Sequence, residues 1–295
     1  MQTFAKEKVI YTFSPEHPFV YEINDGEEFC VEMNDCYNGV FKTEKDLRTP
    51  AVDTSRFDAA VGPIRVNGAE AGDVLRIDIK EINFAPQGVM VTTKGLGIFG
   101  DKITEPNTKI IKVENGKAHF SDKIVLPLTP MIGVLGVLPK EGCYKATTPG
   151  NFGGNMDTKE VTVGTTVYLP VFLDGAGLAV ADLHACMGDG EMSGTGLEIG
   201  GSVRLKVTVV KGMQLERPLL ETADSVYTVA TEAVFEDAFH AAAYDMVKLL
   251  MEKLSLNFPD AYRLLSATCD IKISQLVNGV YTLKCRVPKY VLENA

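Results

Sequence analysis

The sequence predicts a mainly β protein: a sandwich- or barrel-like body followed by a smaller α+β part. Three observations carry this. Asp73–Phe84 and Ser202–Lys211 alternate apolar and polar residues, the period of a half-buried strand. Val125–Leu138 is apolar but interrupted by Pro127, Pro130, Gly133 and Gly136, which suits buried, irregular β structure and forbids a helix. After Glu232, Phe235, Phe239, Ala242, Met246, Leu249 and Leu250 recur at three- and four-residue steps, the stripe of an amphipathic helix.

In chain order, Val9–Phe13 and Glu28–Met33 read as short strands broken by Pro15 and Pro18. Residues 42–60 are charged and irregular: a solvated loop, long enough to fold over a site. Gly88–Thr93 reads as the hairpin partner of Asp73–Phe84, with Ala85-Pro86-Gln87 as the turn. Thr108–Val113 and Lys117–Phe120 form a hairpin about Asn115-Gly116. Gly95–Gly100 spells GxGxxG, but no helical stripe follows, so it is a loop and no dinucleotide site. Pro259 opens a second, shorter helix through Leu265. Asp270–Leu276 and Tyr281–Val287 close the chain as strands about Asn278-Gly279. The division falls near residue 220: 1–220 a β-rich body, 221–295 an α+β lobe, with a single integrated unit as the alternative.

Composition narrows the function classes. The 295 residues suffice for a sizeable core, and 45% hydrophobic with 23% charged residues is ordinary for a soluble globular chain. A net charge of −10 without a Lys/Arg cluster argues against nucleic acid or an anionic membrane as partner. No apolar run reaches membrane-span length, and the first residues lack an apolar signal core, so a cytoplasmic location is expected. Six cysteines without a CxxC pair suit reduced, buried thiols.

Chemistry concentrates between Asn151 and Glu191. If Leu178–His184 is a strand, Asp182 and His184 project from one face, a carboxylate–imidazole pair suited to a divalent metal. Gly188-Asp189-Gly190 then turns the chain, so Glu191 returns toward the pair as a general base. Gly153 and Gly154 let backbone N–H groups approach a ligand, and Asn155 offers an amide both a donor and an acceptor. Asp157 orients a ligand or caps the next turn, and is the second candidate base. Asp35, at a strand end, is either a third metal ligand or the head of an Asx-turn. Cys143, near Glu141 and Lys145, is the candidate for a cysteine nucleophile, but the chain lacks the βαβ layers of nitrilase-type enzymes. It also lacks a G-x-S-x-G elbow.

The runs Gly153-Gly154-Asn155-Met156-Asp157 and Asp182-x-His184-Ala185-x-x-Gly188-Asp189-Gly190-Glu191 resemble signatures of the acetamidase/formamidase family. So do Asn34–Gly39, Gly62-Pro63-Ile64 through Asp73, and Ala261–Ile273, in the family's order along nearly the whole chain. Ala181 and Met187 stand where the family usually has Gly and Gln, a departure that bears on the substrate more than on the reaction. The resemblance implies hydrolysis of a small linear amide to a carboxylate and ammonia, in cytoplasmic homo-oligomers. It also strengthens Asp35 as a ligand. Zinc is the expected ion; calcium is the alternative, because carboxylates dominate the candidates. The rival from another class is a non-catalytic β module with a coordinatively closed, structural metal.

Overall fold

The computed structural model describes residues 1–293. Eighteen of its strands join into one continuous, largely antiparallel sheet system, with Thr12–Phe13 and Tyr144–Lys145 paired separately. The core is built from strands buried along most of their length. Met131–Gly136 and Ala176–His184 are buried at every position and lie side by side, antiparallel. Such strands show no alternation in sequence, because both faces are covered.

One expected hairpin is absent. Val74–Thr92 runs as a single strand of 19 residues straight through Ala85-Pro86-Gln87. Its two halves pair not with each other but with one long partner, Glu198–Val210. Ile199 faces Gly88 and Gly201 faces Phe84, so the extra residues form a bulge. Pro86 sits in that bulge, where its missing N–H costs the ladder nothing. The hairpin of Asn107–Glu114 with Lys117–His119 forms as expected, with Asn115 and Gly116 both at positive φ.

Residues 41–58 are irregular but not free. Phe41 and Phe57 pack edge-on against Tyr37, ring centroids 4.8 and 5.1 Å away. Side chains of Gln87, Thr93 and Thr108 donate to the carbonyls of Lys42, Arg48 and Asp46. The segment is thereby fastened over one end of the sheet system.

The C-terminal region holds two longer helices, α1 (Phe235–Leu254) and α2 (Phe258–Thr268), and a short one, Lys289–Glu293. Helix α1 buries Ala238, Ala242, Met246, Val247 and Leu250, carries Glu236 and Asp237 in its first turn and Lys253 in its last, and stops at Ser255 in the left-handed region. Asn257 caps α2 by accepting from Asp260 N at 3.0 Å, with Pro259 in the first turn. The helices pack on an apolar cluster of their own, which includes Leu219, Val226, Cys285 and Val287. The sheet nevertheless crosses residue 220, because Thr166–Pro170 pairs with Leu219–Glu221, which pairs with Ser225–Glu232.

Gly153, Gly154 and Asn155 form a short buried strand against Val134–Gly136. Gly153 has φ +85°, and a Cβ there would lie 2.4 Å from the Leu135 carbonyl oxygen. Gly153→Val should therefore cost roughly 2–5 kcal/mol through backbone strain and clash. A lower urea midpoint with unchanged m is the expected readout.

Candidate active site

Five carboxylates converge at the end of the sheet system: Asp58, Asp157, Asp182, Glu191 and Glu198, all buried. One imidazole, that of His184, lies among them, fully buried. Asp182 and His184 come from Ala176–His184, and Glu198 faces His184 directly across the strand pair. Asp58 comes from the end of the fastened 41–58 segment. Asp157 follows the Gly153–Asn155 strand.

Asp182 and His184 meet as expected, but regular strand geometry is not the cause. Asp182 has φ +61°, which breaks the pleat. Its Oδ1 lies 3.2 Å from His184 Nε2 and hydrogen-bonds to it. Glu198 Oε2 is 3.0 Å from the same nitrogen, yet makes no hydrogen bond of acceptable angle. Asp157 Oδ1 is 4.0 Å away. Neighbouring glycines leave the room. A Cβ on Gly133 would fall 2.1 Å from Asp182 Oδ2 and 2.5 Å from Asp157 Oδ1, and one on Gly196 would fall 2.6 Å from His184 Nδ1.

The Gly188–Gly190 turn returns Glu191 to the cluster. Glu191 N donates to the Gly188 carbonyl, and Gly190 is bridged to Gln275 by bonds to Ser274 O and from Leu276 N. One residue before Gly190, Asp189 accepts from the fully buried Lys284 at 2.7 Å. Lys284 also pairs with Glu160, and Lys159 reaches Asp189 at 2.9 Å. Asn278, expected only as a turn residue, donates to Asp157 Oδ2 at 2.6 Å and to Asn155 O at 3.2 Å. In the orientation that satisfies both ends of its amide, Asn155 donates to Asp157 Oδ2 and Asp182 Oδ2 at 3.2 Å and accepts from Asn278.

The electrostatics follow from so much negative charge in a dry place. Burial, then the charge of Asp182, pushes Asp157 up to about 7. Burial lifts Asp182 to about 6 although His184 pulls it down. Burial, with Asp157 beside it, raises Glu191 well above the carboxylate range, and burial with Asp182 does the same for Asp58. Burial opposes a charge on His184, but Asp182 and Glu198 outweigh it and hold the imidazole well above its usual value. His184 Nδ1, Glu191 Oε2 and Glu198 Oε2 are buried without a hydrogen-bond partner. Three sets of side chains bring ligand atoms within 4.8 Å of one another: Asp182, His184 and Glu198; Asp157, His184 and Glu191; Cys36, Asp58 and Asp182. A donor set of carboxylates and one imidazole, with orphaned atoms, fits a divalent cation.

A cavity of 470 Å³ opens onto this floor. Asn155, Asp182, Glu191, Glu198 and Asp58 line it, together with Cys36, Tyr37, Leu96, Thr147 and Asn278. Leu96 places the GxGxxG loop at this wall. Gly153 and Gly154 do not line the cavity; they pack behind it, against Leu135, Phe152 and Thr148, and only Asn155 of the three faces inward. Asp35 is outside the ligand sets, and its Oδ1 accepts from Gly39 N at 3.0 Å, four residues on, a bond within its own loop. Cys143 is exposed and outside the cavity, and burial pushes the Cys36 thiol well up, so neither presents a thiolate to it. Glu198 and Asp58 were not among the sequence candidates. Glu198 is visible only through its register with His184, and Asp58 only once the 41–58 segment closes over the sheet.

The family model described as "Acetamidase/Formamidase family" matches residues 2–148 and 140–291. The chain belongs to the acetamidase/formamidase family. As a member it is a hydrolase of carbon–nitrogen bonds in linear amides. It is 25% identical to a formamidase of Methylophilus methylotrophus over 75% of this chain and 70% of that one. It is 27% identical to an acetamidase of Mycolicibacterium smegmatis over 67% of this chain and 65% of that one. Among solved structures, an acetamidase from Bacillus halodurans superposes with TM-score 0.96 at 37% identity, covering 99% of both chains. A predicted acetamidase/formamidase from Thermoanaerobacter tengcongensis superposes equally well, at 39% identity over 99% of this chain and 97% of that one. A γ-lactamase from Delftia acidovorans, at 21% identity and TM-score 0.68, shares the fold.

Lys284→Met leaves Glu160 without its cation and Asp189 with Lys159 alone. The expected cost is about 3–5 kcal/mol. Faster amide hydrogen exchange at residues 188–191 than in the wild type is the accompanying local readout.

Proposed function

We propose that this amidase uses a divalent cation, held by His184, Asp182 and Glu198, to hydrolyse a small linear amide to a carboxylate and ammonia. The observation that carries this reading is a solvent-reachable cavity ending on buried carboxylates around a single histidine. The structural-metal alternative calls for a closed site, and the cavity disfavours it. When bound, the ion supplies Lewis-acid polarisation of the amide carbonyl and eases the ionisation of water. Zinc suits the imidazole and calcium the carboxylates.

The chain's own residues supply the rest. Asn155 and Asn278 hold the carboxylate of Asp157 in place and border the substrate space. Glu191, on its pinned turn, takes a proton from the attacking water and delivers it to the leaving nitrogen. Asp157 lies beside it, the ligand atoms of the two within 4.8 Å of each other, and is the second group that can hold that proton. Gly133 preserves the space in which Asp157 and Asp182 stand together.

We assign the enzyme to the cytoplasm as a homo-oligomer. Phe239, Tyr244, Phe258 and Tyr262, exposed together on α1 and α2, support the assembly. No helix among the described residues is long and apolar enough to cross a membrane.

Ammonia release from formamide and acetamide should vanish on chelation and return with added zinc or calcium. His184→Ala should lose bound metal by elemental analysis. Glu191→Gln should keep its metal while turnover falls about 10²–10⁴-fold. Equal metal in wild type and His184→Ala removes His184 from the site. Gly133→Ala should lower turnover by displacing the two aspartates.

A further inference from the structure

The cavity is large for the simplest amides. Formamide has three non-hydrogen atoms and needs the room of about two water molecules, roughly 30 Å³ each. The 470 Å³ present lies in the range of about 300–1,000 Å³ that receives much larger ligands. Something beyond the amide group belongs in it.

The cavity lining also carries two cations. Arg48 and Lys145 both line the cavity. Arg48 lies over the Phe57 ring, its guanidinium carbon 5.3 Å from the centroid. Its carbonyl is fixed by Thr93. Lys145 stands on a strand paired with Thr12. Among the described residues, neither cation is in an ion pair. Asp53 lines the same rim, its Oδ1 accepting from both the N and the Oγ of Ser55. Thr54, Ser55 and Thr147 add hydroxyl groups to the same lining. Two cations outside any ion pair thus stand on anchored backbone in a chain of net charge −10, and such cations suit an anion.

We infer that the substrate is an amide bearing a second, anionic group, held by Arg48 and Lys145 while its amide carbonyl rests on the carboxylate–histidine floor. This rests on the amidase reading above and narrows it to a class, the monoamides of dicarboxylic acids and their phosphate- or sulfonate-bearing equivalents. Arg48 supplies a planar, bidentate donor for that anion, and Lys145 supplies a mobile one.

The test compares three probes on the metal-loaded enzyme: acetamide, succinamide and succinamate, by ammonia release. Succinamate and succinamide differ at one end, carboxylate against neutral amide. The expected kcat/KM ratio of succinamate to succinamide is at least about tenfold, carried in KM. It should shrink as salt is raised from 0.05 to about 0.5 M. In the double variant Arg48→Gln with Lys145→Gln the ratio should fall to near one. Arg48→Glu should shift preference toward glycinamide, whose second group is a cation. Turnover of acetamide with a ratio near one in the wild type overturns the anion subsite and leaves the amidase reading standing. A ratio retained in the double variant also overturns it. No turnover of any of the three amides overturns both.

Discussion

The structure is organised around like charge held out of water. Five carboxylates share a buried space with one imidazole, and the buried Lys284 is spent on Glu160 and Asp189 outside it. Isolated buried carboxylates are costly, and they recover that cost only through protons, cations or donated hydrogen bonds. Here protons are retained up to about pH 7 at Asp157. The surrounding architecture serves to keep the carboxylates together: glycines at 133 and 196 that yield space, amides at 155 and 278 that donate, and an ion triad that pins the turn before Glu191.

Backbone strain coincides with this charge. Of the non-glycine residues at positive φ, Asp58, Asp157, Asp182 and Glu191 all belong to the cluster. Asp visits that region at modest cost, because its short side chain can bond locally, but Glu rarely does. Each such residue carries strain of order 1–3 kcal/mol that the rest of the fold must offset. The buried Met131–Gly136 and Ala176–His184 strands are the stiff part that does so. The strain aims side chains off the regular pleat and into one point, which ordinary strand alternation could not achieve from four separate segments.

What the sequence reveals differs by feature. The amphipathic α1, the Asn-Gly hairpin at 115–116 and the half-buried strands are legible because local periodicity and turn chemistry decide them. The hairpin expected at Ala85–Gln87 is not, because a longer partner strand outcompetes the local turn. Asp157, Asp182, His184 and Glu191 stand out as chemistry-bearing residues among turns and glycines, and the structure brings them together. Glu198 and Asp58 are hidden, since only register and the closure of the 41–58 segment bring them in. Asn278 looks like a turn residue in sequence, and it is one, yet it also reaches Asp157. A residue with two duties shows only the local one to pattern reading.

The reach of Asn278 and Lys284 has a consequence for how the enzyme comes into being. Residues from Cys36 to Asn278 meet at one floor, so nearly all the chain must be in place before the floor exists. Contacts of such sequence separation form late, after most loop closures have been made. During synthesis, the sheets can associate while Asp157 still lacks its amide donor and Asp189 its lysine. A nascent or prematurely ended chain that stops short of residue 278 is therefore without the finished floor, and activity switches on only as the last hairpin docks.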